Sequence, residues 1–124
     1  MGKILILGFH TINLILIIFY LYPGSLLGFF LYNDGSIQPQ ITRDFLISSN
    51  HFYAFIILSI VGIMAYNKSN KINLLIKYLF SLSISLEFLH IIIPNRNFEL
   101  SDLFGNFLGV VLIITFYKIK NRYV

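Results

Sequence analysis

ILILGFHTINLILIIFYLY, Ile4 to Tyr22, is an apolar run with no formally charged residue, interrupted only by His10, Thr11 and Asn13. A helix needs about 20 mostly apolar residues to cross a bilayer, so this run predicts a membrane span. It lacks the short apolar centre and small-residue cleavage site of a signal peptide, and is expected to remain as the first helix, ended by Pro23-Gly24. Three further apolar runs follow: His51 to about Tyr66, Ile72 to Ile93 closed by Pro94, and roughly Asp102 to Tyr117 ahead of Lys118, Lys120 and Arg122. Ser25 to Tyr32 is apolar but too short to cross alone, which predicts a segment lying at the interface or re-entering shallowly. Asn33-Asp34-Gly35-Ser36 is a turn signal, and Ile37 to Asn50, with Pro39, Arg43 and Asp44, is the longest candidate for a water-exposed loop.

Composition agrees with this reading. Of 124 residues, 57% are hydrophobic and 11% charged, against roughly 25% charged in a soluble globular domain. The expectation is one all-α domain over residues 1–124, a polytopic integral membrane protein with four transmembrane helices. Four spans leave no room for a separate catalytic domain, so any activity has to come from polar groups within the spans or in the short loops. The chain has no cysteine, which excludes disulfides, thiolate metal sites and cysteine nucleophiles. Its net charge of +4 is too thinly spread for a nucleic-acid surface, and no nucleic-acid partner is expected.

The basic residues instead report orientation. With four spans, the amino terminus, the middle turn and the carboxyl terminus share a side and hold Lys3, Lys68, Lys71, Lys118, Lys120 and Arg122, while the other loops hold only Arg43 and Arg96. Basic loops stay inside, which predicts both termini in the cytoplasm. On that topology the remaining polar residues gather at the outer side. His51 opens the second span, Glu87 and His90 lie in the last turns of the third, Arg96 and Glu99 are in the outer loop, and Asp102 and Asn106 open the fourth. Glu87 and His90 share a helix face, as do Asp102 and Asn106. An ionised Glu87 facing lipid would cost about 2.5 kcal/mol or more, so it is expected to face inward with Arg96 or His51 as its partner. Gly105 and Gly109 form a small-x-x-x-small step that favours close helix packing.

The run Glu87-Phe-Leu-His-Ile-Ile-Ile-Pro94-Asn-Arg96, followed by Asp102-Leu-Phe-Gly-Asn106-Phe-Leu-Gly109, resembles the signature of the VanZ-like family of small bacterial membrane proteins. That signature places an acid, then Gln, Pro and Arg, then Asp, Asn and Gly at closely similar spacing. Asn50-His51-Phe52-Tyr53-Ala54-Phe55 resembles the family's Asp-Lys-x-x-His-Phe segment, and Tyr22-Pro23-Gly24 the end of its first span. His90 stands where the family usually has Gln, and Ser48 to Asn50 lack its Asp and Lys. The resemblance implies a location in the bacterial cytoplasmic (inner) membrane and an association with reduced susceptibility to glycopeptide antibiotics of the teicoplanin type.

Three readings of the polar cluster His51, Glu87, His90, Arg96, Asp102 and Asn106 follow. It is a structural clasp built from charge-assisted hydrogen bonds; or it binds a surface lipid or lipid-linked cell-wall precursor, with Arg96 on phosphate; or it is an enzyme site with Glu87 or His90 as general base and Arg96 as electrophilic stabiliser. A small accessory subunit, packing on a larger membrane complex through its glycine face, is a further alternative. The Glu87-x-x-His90 step resembles that of carboxylate-bridged metal bundles, which need a second such step that this chain lacks. His51 and Asp102 would complete a mononuclear site with that pair, but the expectation is no metal and no cofactor. His10 is assigned no role, and Tyr20, Tyr22, Tyr32, Tyr66, Tyr117 and Tyr123 are read as interfacial anchors.

Overall fold

The structure, a computed structural model, describes residues 2–123 and contains, among them, five helices and no strand. They are α1 (Gly2–Leu21), α2 (Leu26–Tyr32), α3 (Ser49–Tyr66), α4 (Ile72–Leu89) and α5 (Leu100–Tyr123). All but α2 are long and apolar enough to cross a membrane. The chain is therefore an all-helical, multi-pass membrane protein. Far more of its large apolar side chains are exposed than buried, including the stripe Phe104, Leu108, Leu112 and Phe116 along α5. Such a surface would drive aggregation in water, and it is the natural surface of a bundle bathed in lipid.

Local chemistry sets the short helix. Gly24, with φ of 118°, turns the chain after α1, and the Ser25 side chain caps α2 by accepting from Gly28 N at 3.0 Å. Asn33 ends it in the left-handed region, with φ of 53°. A side chain at Gly28 would overlap Ile37 O and come within 2.6 Å of Asp34 O, so only glycine lets the following loop fold back over α2. The exposed Asp34 carboxylate accepts from Ser36 N and Oγ at 2.9 and 2.6 Å, and these bonds, the side-chain one foremost, hold it below the usual carboxylate range.

Two boundaries differ from the sequence expectation. The third span ends at Leu89 rather than Ile93: Pro94 has no N–H to give the carbonyl of His90 and its ring crowds that carbonyl, so the helix closes at His90. Residues 90–93 become turns, with Ile91 N and Ile92 N donating to Phe88 O and Leu89 O at 3.2 and 3.1 Å. The last helix runs on to Tyr123, its final turn carrying Lys120 and Arg122 where the helix dipole favours positive charge.

The four long helices alternate in direction, and α3 lies at the centre of the packing, mainly against α5 and then α1. Gly105 and Gly109 are buried in the α3–α5 contact: added Cβ atoms would sit 2.8 Å from Ser48 O and Phe52 O respectively. The glycine face is therefore taken up within the chain and offers no free surface to a larger complex. Phe55, Leu58, Leu79 and Val110 form the fully buried core. Towards the opposite end, His10 Nε2 meets Tyr66 Oη at 3.0 Å and Tyr78 donates to Asn13 Oδ1 at 2.8 Å. Gly109→Ala is expected to destabilise the bundle by about 1–3 kcal/mol through overpacking, whereas Gly8→Ala, which meets nothing within 4 Å, is tolerated. Thermal loss of monodisperse protein in detergent measures both.

Candidate functional site

The alternation of helices brings the carboxyl ends of α1 and α4 together with the amino ends of α3 and α5, and the polar residues collect there. Asn106, fully buried on α5, is the hub. Its Nδ2 donates to Ser83 O of α4 at 3.1 Å, and because a carbonyl only accepts, the amide has one possible orientation. Oδ1 then accepts from the Tyr20 hydroxyl of α1 at 2.8 Å and from His51 Nδ1 of α3 at 3.0 Å. The proton on Nδ1 leaves His51 Nε2 as the acceptor nitrogen of the neutral ring, and Nε2 lies 3.6 Å from Asp102 Oδ2.

Glu87, wholly buried, faces inward as the insertion cost of a lipid-facing acid requires. Its Oε1 accepts from Glu99 N at 3.0 Å. Oε2 has no hydrogen-bond partner; its neighbours are His90 Nδ1 at 3.2 Å and His51 Nδ1 at 4.0 Å. His90 is fixed from its other side, Nε2 donating to Tyr20 O at 2.8 Å, and its ring stacks on Tyr20 at 6.0 Å.

Arg96 does not pair with Glu87. Its Nε and Nη2 donate to Tyr22 O and Phe19 O at 3.1 and 2.9 Å, so the guanidinium caps the carbonyls at the end of α1, where a cation also complements the helix dipole. Partial burial draws its pKa below the ordinary arginine value, opposed by the nearby carboxylates of Asp102 and Glu87. The six sequence candidates are thus neighbours, but Arg96 ties the loop between α4 and α5 to α1 rather than α4 to α5.

Tyr20 is the residue the sequence reading placed wrongly. It is buried, not an interfacial anchor, and joins Phe9 and Leu16 on one face of α1; that seven-and-four spacing was the available signal. The loop before α3 also contributes more than exposed polarity. Asp44 accepts from Ser49 N at 2.9 Å, capping α3 from five residues back, and Asn50 binds Ile41 N and Pro39 O.

Two concavities meet here. A polar cavity of about 270 Å³ is bordered by Asp44, His51, His90, Arg96, Glu99 and Asp102. An apolar groove of about 710 Å³ runs between α1 and α3, along Ile12, Ile15, Phe19, Ala54 and Ile57, with Leu26 and Leu31 of α2 at its border. Gln38, Gln40, Asn50, His51 and Arg96 border both. The groove falls in the range of about 300–1,000 Å³ occupied by small-molecule pockets.

Compared with known protein families, curated proteins and solved structures, the chain matches none. The arrangement itself gives a test of the hub. Asn106→Ala strands the Tyr20 hydroxyl and His51 Nδ1 and removes the tie to α4 at Ser83 O, and is expected to cost about 2 kcal/mol or more, while Tyr20→Phe removes one bond at about 1 kcal/mol. Denaturant unfolding in mixed micelles ranks the two variants.

Proposed function

We propose that this protein is a VanZ-like envelope protein of the bacterial cytoplasmic membrane that takes an amphipathic lipid, of the class of lipid-linked cell-wall precursors, into its outer end. One observation carries the reading: an apolar groove open between membrane helices leads to a polar cavity, and five residues border both. That is the outline of an acyl or prenyl chain joined to a polar headgroup. Asn and Gln amides and the Asp44, Glu99 and Asp102 carboxylates suit a headgroup rich in hydroxyls and amides. Arg96 keeps N–H groups beyond the two used on α1, and these suit a phosphate.

The spacing of Glu87, Pro94, Arg96, Asp102 and Asn106 supports the family, and the excess of Lys and Arg at the other end of the bundle supports cytoplasmic termini. Sequestering such a lipid would alter what a glycopeptide drug meets at the surface, which connects the reading to reduced teicoplanin-type susceptibility.

Native mass spectrometry of protein released gently from bacterial membranes is expected to show a copurifying phosphate-bearing lipid. Ala54→Trp, which fills the groove away from the polar hub, is expected to reduce that lipid about tenfold, and an unchanged lipid complement would count against the groove. Orientation has its own check, because the chain has no natural cysteine. Single cysteines at Lys68 and Lys120 are expected to resist a membrane-impermeant thiol reagent applied to whole cells, and one at Arg43 to react.

A further inference from the structure

We propose that His51, Glu87 and Asp102 form a binding site for one divalent transition-metal ion of the zinc class at the floor of the polar cavity. One ligand atom from each of these residues lies within 4.8 Å of the other two. The donors are of the kind zinc takes from proteins, imidazole nitrogen and carboxylate oxygen. Their chemistry leaves a gap that a cation fills. His51 Nε2 presents a lone pair, because Asn106 Oδ1 holds the ring proton on Nδ1. Asp102 Oδ2 faces that lone pair at 3.6 Å, and acceptor facing acceptor is repulsive unless a positive charge lies between them.

Glu87 supplies the independent observation. Its side chain is completely buried, yet Oε2 is left without a hydrogen-bond partner while Oε1 is held by Glu99 N. A buried carboxylate oxygen in that condition is costly, and the Glu87 carboxylate offers an oxygen within 4.8 Å of a ligand atom of both His51 and Asp102.

The outer shell is of the type that orients metal ligands. Asn106 fixes the tautomer and the tilt of His51, Glu99 N fixes Glu87, and His90, pinned through Nε2 to Tyr20 O, sits 3.2 Å from Glu87 Oε2. Arg96, the nearest fixed positive charge, is committed to the end of α1. Metal–ligand bonds of about 2.0–2.2 Å place tetrahedral ligands about 3.4 Å apart, so binding requires the three side chains to draw in by something on the order of 1 Å. His51 and Asp102 both border the cavity, so the ion's fourth position faces it. The proposal replaces the sequence expectation of no metal and does not depend on the lipid reading.

The test uses the full chain in mild detergent, its affinity tag removed, stripped with EDTA and re-equilibrated with Zn²⁺. About one zinc per chain is expected to survive desalting, as counted by inductively coupled plasma mass spectrometry, and Co²⁺ in its place is expected to show the visible absorption of a four-coordinate site. Asp102→Asn is expected to weaken Zn²⁺ binding at least about tenfold, on the scale of lesions around metal ligands. Glu99→Gln, a carboxylate bordering the same cavity but outside the triad, is expected to bind as the wild type does. Wild-type protein that retains no zinc overturns the site without any variant having to fold. Equal affinity in Asp102→Asn, or an equal loss in Glu99→Gln, overturns the ligand assignment. The lipid reading fails separately, through the absence of any copurifying phosphate-bearing lipid or an unchanged lipid complement in Ala54→Trp.

Discussion

A single carboxamide, buried where lipid surrounds the bundle, governs the arrangement of the helices. Asn106 cannot exchange its two polar ends, because Ser83 O accepts and the Tyr20 hydroxyl donates. In hydrocarbon the alternative to these bonds is an unsatisfied group, so α1, α3 and α4 are each held in register against α5. The tautomer of His51, the side of that ring open to Asp102, and the position of Tyr20 beside His90 all follow from that one orientation. A slip of one turn between these apolar faces would break the bonds of the amide to α1, α3 and α4 together.

The packing that permits this is close and unusually dependent on small residues. Between apolar helices in lipid there is little hydrophobic gain from contact, and backbone proximity takes its place. Gly105 and Gly109 bring α5 onto Ser48 O and Phe52 O, while Ser48 N donates to Ser101 O at 3.0 Å. That approach carries Asp102 and Asn106 to His51. The glycine stripe and the polar cluster, separate features in the sequence, are therefore one construction.

The sequence made the four spans legible because each is a sustained apolar run, and it made the cluster legible because charged residues are scarce and their helical phase can be computed. What it hid has physical causes. Ile91 to Ile93 are apolar enough to look like span, and only the restriction imposed by Pro94 ends the helix early. The acceptors for Arg96 are main-chain carbonyls of α1, which no side-chain pattern announces. Tyr20 resembles any tyrosine near a helix end until its phase with Phe9 and Leu16 is considered. The capping of α3 by Asp44 depends on a loop path that composition does not specify.

The unequal lengths of the helices have a consequence for the surrounding bilayer. At 1.5 Å per residue, the 18 residues of α3 and of α4 reach about 27 Å, while the 24 of α5 reach about 36 Å. Against a hydrocarbon thickness of about 30 Å, α3 and α4 draw the leaflets together, while the end of α5, which carries Lys118, Lys120 and Arg122, reaches past the apolar layer into the interface. The mouth of the groove borders the short α3, so lipids approach it from a compressed annulus whose chains are already displaced from their preferred extension. Membrane thickness, and with it chain-length composition, thereby becomes a variable to which the lipid along this flank of the bundle is mechanically coupled.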